Sequence, residues 1–171
     1  MRKELILCIW MAYAVHANAQ SIAEEKRYFD FLIGEWKMES KIQWGKSGTG
    51  EDTFQFERDL DGHAIISKWN FNRGTSDKPD IVSARYFSGF DTFKNIWTFY
   101  YVSNLSAQYW EGKKENGQWN FYKTFLDDGK PRLQRQTWLP DGKDGLIRII
   151  SNSIDNGQTW SEDFRGVFRR K

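Results

Sequence analysis

Apolar and polar residues alternate along most of this chain, which is the pattern of a β-strand with one buried face. Between Glu35 and Trp44, Trp36, Met38 and Ile42 fall on one side, and charged or amide residues fall on the other. Further stretches typical of strands are residues 53–60, 63–73, 81–90, 96–104, 107–114, 119–126, 132–139, 146–154 and 159–169. The pattern therefore predicts an all-β protein of about ten strands.

The links between these stretches are short and rich in residues that form tight turns. Asn-Gly and Asp-Gly pairs, which accept the positive φ angles of hairpin turns, stand at 61–62, 116–117, 128–129, 141–142 and 156–157. The links leave no room for crossover helices, so consecutive strands are predicted to pair antiparallel. Closure into a lipocalin-like up-and-down barrel would remove the exposed edges. Strands 81–90 and 96–104 are apolar on both faces, so a helix or folded loop is expected to cover them.

The first 34 residues predict an export signal followed by a short helix. Basic residues at 2–3, an apolar run over 5–15 and the small residues at 17–19 are typical of a cleavable signal peptide. Cleavage is expected between Ala19 and Gln20, which leaves one secreted or periplasmic domain over residues 20–171. Ser21 and Glu24 have the spacing of a helix capping box, and Gly34 ends the predicted helix.

Composition excludes several kinds of site from that mature chain. Cys8 and His16 lie in the predicted signal, so no cysteine remains and His63 is the only imidazole. Disulfides, thiolate metal sites and multi-histidine zinc sites are thereby excluded, and no metal or cofactor is expected. The chain has 25 Lys+Arg against 23 Asp+Glu, a net charge of +2, which does not favour nucleic-acid or membrane binding.

The segment from Phe29 to Trp36 resembles the start of calycin-type barrels, in which a short helix leads into a Gly-x-Trp on the first strand. Over nearly its whole mature length the chain is similar to small secreted lipocalin-like or DUF1579-like proteins. The resemblance implies that the tryptophan of this motif lies at the closed end of the barrel, covered by an arginine of the last strand. Arg165 or Arg169 would fit that position.

Two other resemblances concern the second half of the chain. The segment from Ser153 to Trp160 has the S-x-D-x-G-x-T-W form of the Asp box, which implies a structural hairpin. The ten-stranded pattern is also similar to nitrobindin-like haem barrels. That family needs a histidine on a late strand, and none follows His63, so haem is not expected.

Polar residues that share faces with apolar ones suggest an enzyme acting on acidic oligosaccharides. The predicted catalytic residues are His63, Tyr101 and Tyr109, and the predicted substrate-binding residues are Arg85, Arg135, Arg148, Trp69 and Glu111. A cation beside a uronate carboxylate makes the C5 proton acidic, so that a nearby base and acid can carry out β-elimination. The chain also resembles small proteins of polysaccharide breakdown, which implies an oligosaccharide dehydratase or lyase.

Two other interpretations stay open at this level. The first is a non-enzymatic barrel that binds a small apolar or amphipathic molecule in a mainly apolar interior. In the second, each named polar residue is structural, because a one-residue register error moves a side chain to the other face. A two-carboxylate glycosidase is disfavoured, since the acidic residues lie mostly in turns or on outward faces.

Overall fold

The computed structural model describes residues 22–43, 45–48, 52–72 and 78–171. The predicted signal peptide, Ser21 and Arg73 lie outside these residues. The chain begins with helix α1 (22–27) and a 3₁₀ turn (Asp30–Leu32), and a second 3₁₀ turn spans Leu60–Gly62. The strands are β1 (Gly34–Gln43), β2 (Lys46–Gly48), β3 (Thr53–Asp59), β4 (Ala64–Asn72), β5 (Ile81–Asp91), β6 (Ile96–Ser103), β7 (Ala107–Glu115), β8 (Gln118–Asp127), β9 (Lys130–Pro140), β10 (Gly145–Ser153) and β11 (Ser161–Arg170).

Ten of these strands form a closed antiparallel barrel, which confirms the predicted fold class. From β3 onward each strand pairs with the next, and the last strand returns to pair with β1, for example at Trp36 and Arg170. The short β2 is an addition to the predicted strands, and it pairs antiparallel with β1. No helix in the described part of the chain is long and apolar enough to cross a membrane.

Four of the five predicted turn pairs have a positive φ at both residues, and at Asp141-Gly142 only the glycine has one. Asn116, Asp128 and Asn156 have φ angles of 51°, 50° and 57°, and the glycine after each also has a positive φ. Two consecutive residues with positive φ are the signature of a type I′ hairpin, whose twist matches that of the flanking strands. Asn116-Gly117 and Asp128-Gly129 are two-residue links and therefore fix the register of β7, β8 and β9, whereas Asn156-Gly157 lies within the longer link between β10 and β11.

The N-terminal segment closes one end of the barrel. Phe29 packs edge-on against Trp97, with 5.2 Å between ring centroids, and stacks on Phe121 at 5.4 Å. The backbone carbonyl oxygen of Glu25 accepts a hydrogen bond from the Trp97 indole, and its carboxylate accepts one from the Trp119 indole. The segment therefore inserts aromatic rings among the first residues of β6 and β8.

Trp36 is covered by an arginine of the last strand, but this arginine is Arg170. Its guanidinium lies 4.4 Å from the Trp36 ring and donates a hydrogen bond to the Ile33 carbonyl at 3.0 Å. The expectation of Arg165 or Arg169 is wrong, because their guanidinium groups form surface ion pairs with Glu162 and with Glu39 and Asp141, respectively. Gly34 has a φ of 131°, and a Cβ atom there would collide with Arg170 Nη1.

The expected cover over β5 and β6 is also wrong. Ile81, Phe87, Tyr100 and Val102 remain between 48% and 54% exposed on the outer wall. The N-terminal segment packs into the end of the barrel instead of lying on its side, because Phe29 and Leu32, which follow α1, belong to the buried core.

Candidate functional site

The interior contains a cavity of about 800 Å³ at the end of the barrel opposite α1. Phe71 and Asn72, which end β4, line it, as does Asn152 near the end of β10. Its charged lining residues are Lys41, Lys123, Arg148, Asp52, Asp127 and Asp163, and its amide residues are Gln43, Asn72, Gln108, Gln134, Gln136 and Asn152. Aromatic rings supply most of the remaining wall. This half of the interior therefore combines an aromatic wall with charged and amide side chains.

Arg148 lies in the cavity wall with only 7% of its surface exposed. Its Nε and Nη2 donate hydrogen bonds to Gln136 Oε1 at 3.1 and 2.6 Å, and its guanidinium lies 4.5 Å from the Trp69 ring. Among the described residues, no carboxylate lies within ion-pair distance of it. Burial lowers the pKa of Arg148, whereas the nearby Tyr86, Asp52 and Tyr101 act to raise it.

Asp52 and Tyr86 are buried acidic groups of the same cavity. Burial raises the pKa of Asp52, while Lys41, Arg148 and the backbone N–H of Asn72 oppose that shift. Burial also raises the pKa of Tyr86 strongly, so the phenol keeps its proton at neutral pH. Tyr86 is therefore available to a ligand as a hydrogen-bond donor.

Three further donors of cavity-lining residues are buried without a hydrogen-bond partner in the described structure. They are Gln136 Nε2, Trp69 Nε1 and Trp110 Nε1. A buried donor left unpaired costs about 1–3 kcal/mol. Gln136 bonds to Arg148 and the Trp69 ring lies beside its guanidinium, so two of these unpaired donors stand next to that cation.

Lys123 is a second cation of the cavity wall. Its Nζ lies 4.7 Å from the Trp110 ring and 5.5 Å from the Phe125 ring, and it donates to Gln108 Oε1. Burial, followed by the charge of Arg148, lowers the pKa of Lys123 to about 8. A substantial fraction of the amine is therefore neutral just above physiological pH.

Three of the predicted site residues meet at this cavity. Trp69, Tyr101 and Arg148 all line it, and the ring centroids of Trp69 and Tyr101 are 6.3 Å apart. They come from β4, β6 and β10, so the barrel brings together residues that are distant along the chain. Tyr101 also lies 5.0 Å from Tyr86 between ring centroids.

The other five predicted site residues lie outside the cavity, and the expectation of one shared interior is wrong for them. His63 is exposed at the closed end, with its Nδ1 3.3 Å from Lys26 Nζ. Arg85 is exposed and donates to the Ala84 carbonyl. Tyr109 and Glu111 are hydrogen-bonded to each other at 3.0 Å on the outer wall, and Arg135 packs on Trp160 at 4.4 Å.

The physical reason for this difference is strand register. Tyr86, Trp110 and Gln136 face inward, so their neighbours Arg85, Tyr109, Glu111 and Arg135 face outward. In β5 both faces are apolar, so alternation alone cannot show which face points into the barrel. The outward Tyr109 has a pKa of about 12, raised mainly by burial and then by its bond to Glu111.

Sequence reasoning missed Lys123, Gln136, Asp52 and Tyr86. A signal for two of them is present, because Lys123 stands between Phe121 and Phe125 in the same alternating phase, and Gln136 stands two residues before Trp138. A polar residue in phase with buried rings is expected to face the interior.

The chain matches no protein-family model, and no curated protein is significantly similar to it. No group of three or more histidine, cysteine, aspartate or glutamate side chains in the described residues is placed to hold a metal ion.

Proposed function

We propose that this protein is secreted and binds the uronate end of an acidic oligosaccharide in the barrel cavity, where it forms an unsaturated uronate by β-elimination. The observation that carries the proposal is the donor cluster at Arg148. Within the described residues, the buried guanidinium has no carboxylate at ion-pair distance, and the unpaired donors of Gln136 and Trp69 lie in the same wall. A ligand carboxylate would supply the anionic partner that this guanidinium lacks there.

The lining favours a sugar over a purely apolar molecule. Six amide side chains line the cavity beside aromatic rings. Amides both donate and accept hydrogen bonds, as sugar hydroxyls do, and the aromatic lining provides apolar surface for sugar C–H groups. The volume of about 800 Å³ falls within the range usual for small-molecule sites, which is about 300–1,000 Å³.

The elimination is assigned to groups that line this wall together. Arg148 binds and neutralises the uronate carboxylate, which makes the C5 proton more acidic. Tyr101, acting as its phenolate, removes that proton, the C5–H electron pair forms the C4–C5 double bond, and the C4–O bond breaks. Tyr86, which keeps its proton, donates it to the departing oxygen. A proton then passes from Tyr101 to Tyr86, whose ring centroids are 5.0 Å apart, and restores the starting state. Loss of water would make the reaction a dehydration, and loss of a sugar would make it a lyase reaction.

The test is to incubate the purified protein with uronate-terminated oligosaccharides and to follow absorbance at about 235 nm, where unsaturated uronates absorb. Tyr101→Phe is expected to reduce the rate by at least about 100-fold, as loss of a proton-transfer group does. Tyr109→Phe is the matched control, because Tyr109 lies on the outer wall. Equal rates for Tyr101→Phe and wild type, or no product from any uronate substrate, would contradict the assignment of the reaction.

A second candidate is a non-catalytic barrel that binds an anionic amphipathic molecule. It is favoured by the continuous aromatic packing of the wall, where Tyr86 stacks on Trp69 at 5.2 Å and lies 4.6 Å from Phe99. Such a surface suits a flat apolar group attached to a carboxylate. Tight binding of an aromatic carboxylate, together with no absorbance change on uronates, would support this candidate.

A further inference from the structure

The wall of the cavity contains a second donor cluster built in the same way as the one at Arg148. At Arg148 the cation bonds to the Gln136 oxygen and lies over the Trp69 ring, and the N–H of that indole has no acceptor among the described residues. At Lys123 the cation bonds to Gln108 Oε1 and lies over Trp110, whose N–H is likewise unpaired within the described part of the chain. The two clusters share one cavity and supply donors but no charged acceptor.

The acidic residues of the same cavity have other partners. Asp127 forms an ion pair with Arg132 at 3.0 Å, and Asp163 accepts a hydrogen bond from Asn152. The Asp52 carboxylate accepts a hydrogen bond from the backbone N–H of Asn72. Within the described residues, no carboxylate lies within ion-pair distance of Lys123, so its charge faces only rings and a neutral amide.

We infer that the ligand of this cavity carries two anionic groups, one bound at Arg148 and the other at Lys123. This inference rests on the proposed function and specifies its substrate class as an oligosaccharide with a second acidic group near the uronate. A sulfate ester and a second uronate carboxylate both supply the required oxygens. Lys123 thus determines specificity, whereas Arg148 provides the first carboxylate contact.

The experiment measures affinities by calorimetry at pH 7 for three probes: a disaccharide with one uronate, the same disaccharide with one O-sulfate, and a diuronate. Wild type is expected to bind at least one of the two dianions about 10-fold or more tightly than the monoanion, since a charge-assisted contact has that magnitude. Comparing the sulfate and the diuronate identifies the second group.

Lys123→Gln is expected to lose this preference. Lys123→Arg keeps the charge and should retain the preference, and Lys68→Gln is the matched control because Lys68 is exposed on the outer wall. Equal wild-type affinity for monoanion and dianions, or a preference that survives in Lys123→Gln, would overturn the second binding position.

Arg148→Gln separates this inference from the proposed function. If Arg148→Gln weakens binding of the monouronate but Lys123→Gln does not change the preference, only the second position fails. If folded Arg148→Gln binds the monouronate as wild type does, the proposed function fails. Should Arg148→Gln not fold, Gln136→Glu answers the same question, because it supplies Arg148 with a carboxylate of its own.

Discussion

Arg148 donates two hydrogen bonds to a single neutral atom, Gln136 Oε1, from Nε at 3.1 Å and from Nη2 at 2.6 Å. This arrangement orients the guanidinium without neutralising its charge. The amide nitrogen of the same glutamine has no partner in the described structure. The pair therefore holds a preformed set of donors in the wall of the cavity.

Replacing Gln136 by Glu tests whether that uncompensated charge binds ligand. Gln136→Glu keeps the shape of the side chain but gives Arg148 a carboxylate partner, so affinity for a monouronate disaccharide should fall at least about 10-fold. Gln134→Glu is the control, because it adds the same charge to the same strand and cavity while Gln134 bonds to Asn152. A similar loss in both variants would mean that the general field of the cavity, and not the Arg148 contact, governs binding.

The Lys123 amine should affect stability in the alkaline range. Its pKa is about 8 in the folded protein, below the ordinary value of 10.5, so the folded state binds this proton less tightly than the unfolded state. The contribution of Lys123 to stability should therefore rise as the pH increases from about 8 to about 10.5, and stay constant below that range.

Urea unfolding over this pH range checks the effect. Wild type should gain free energy of unfolding relative to Lys123→Met as the pH rises, whereas Lys68→Met should follow wild type. If the free energy of unfolding changes with pH in the same way for wild type and Lys123→Met, Lys123 titrates at its ordinary pKa and the expectation is wrong.

The fold was predictable from sequence because alternation and turn chemistry agreed over most of the chain. Trp36 and Met38 in β1 have charged neighbours, so one face is unambiguous, and the Asn-Gly pairs set the hairpins. The site was only partly predictable. Arg148 and Tyr101 were identified, but in β5 Arg85 and Tyr86 stand among apolar residues on both faces, and nothing in the local pattern assigns a side.

At the closed end of the barrel, the arginine that covers Trp36 could not be identified from the sequence. The covering role of an arginine was expected from the Gly34-x-Trp36 motif, but its position depends on where β11 ends relative to β1. The register places Arg170 opposite Trp36, whereas Arg165 lies opposite Ile42. Pairing between the first and last strands is a long-range relationship that local sequence patterns do not contain.

Arg170→Ala should therefore destabilise the protein more than Arg165→Ala does. Arg170 makes a cation–π contact with Trp36 and a hydrogen bond to Ile33, which together are expected to contribute about 1–2 kcal/mol. Arg165 has a surface ion pair with Glu162, and such pairs usually contribute less than about 1 kcal/mol. Chemical denaturation of both variants measures the difference, and the opposite order would show that Arg170 does not secure the closed end.

Gly112 should not tolerate a side chain. A Cβ atom there would lie 2.7 Å from the Trp97 carbonyl oxygen and 3.1 Å from the Trp119 ring, so Gly112→Ala should cost about 1–3 kcal/mol of stability. In Gly89→Ala the nearest atom would be 4.0 Å away, and this control should unfold like wild type or slightly later. The melting temperatures of the two variants are compared by thermal unfolding. Equal values would show that the residues around Trp97 shift to make room for the added methyl group.

The most direct test of the anion-binding cavity compares the affinity of the unaltered protein for uronate oligosaccharides with its affinity for their methyl esters, by calorimetry at pH 7. The ester keeps the sugar but removes the charge that Arg148 is proposed to bind. The free acid is expected to bind at least about 10-fold more tightly than the ester. Equal affinity for acid and ester, or no binding of any uronate, would contradict the central claim.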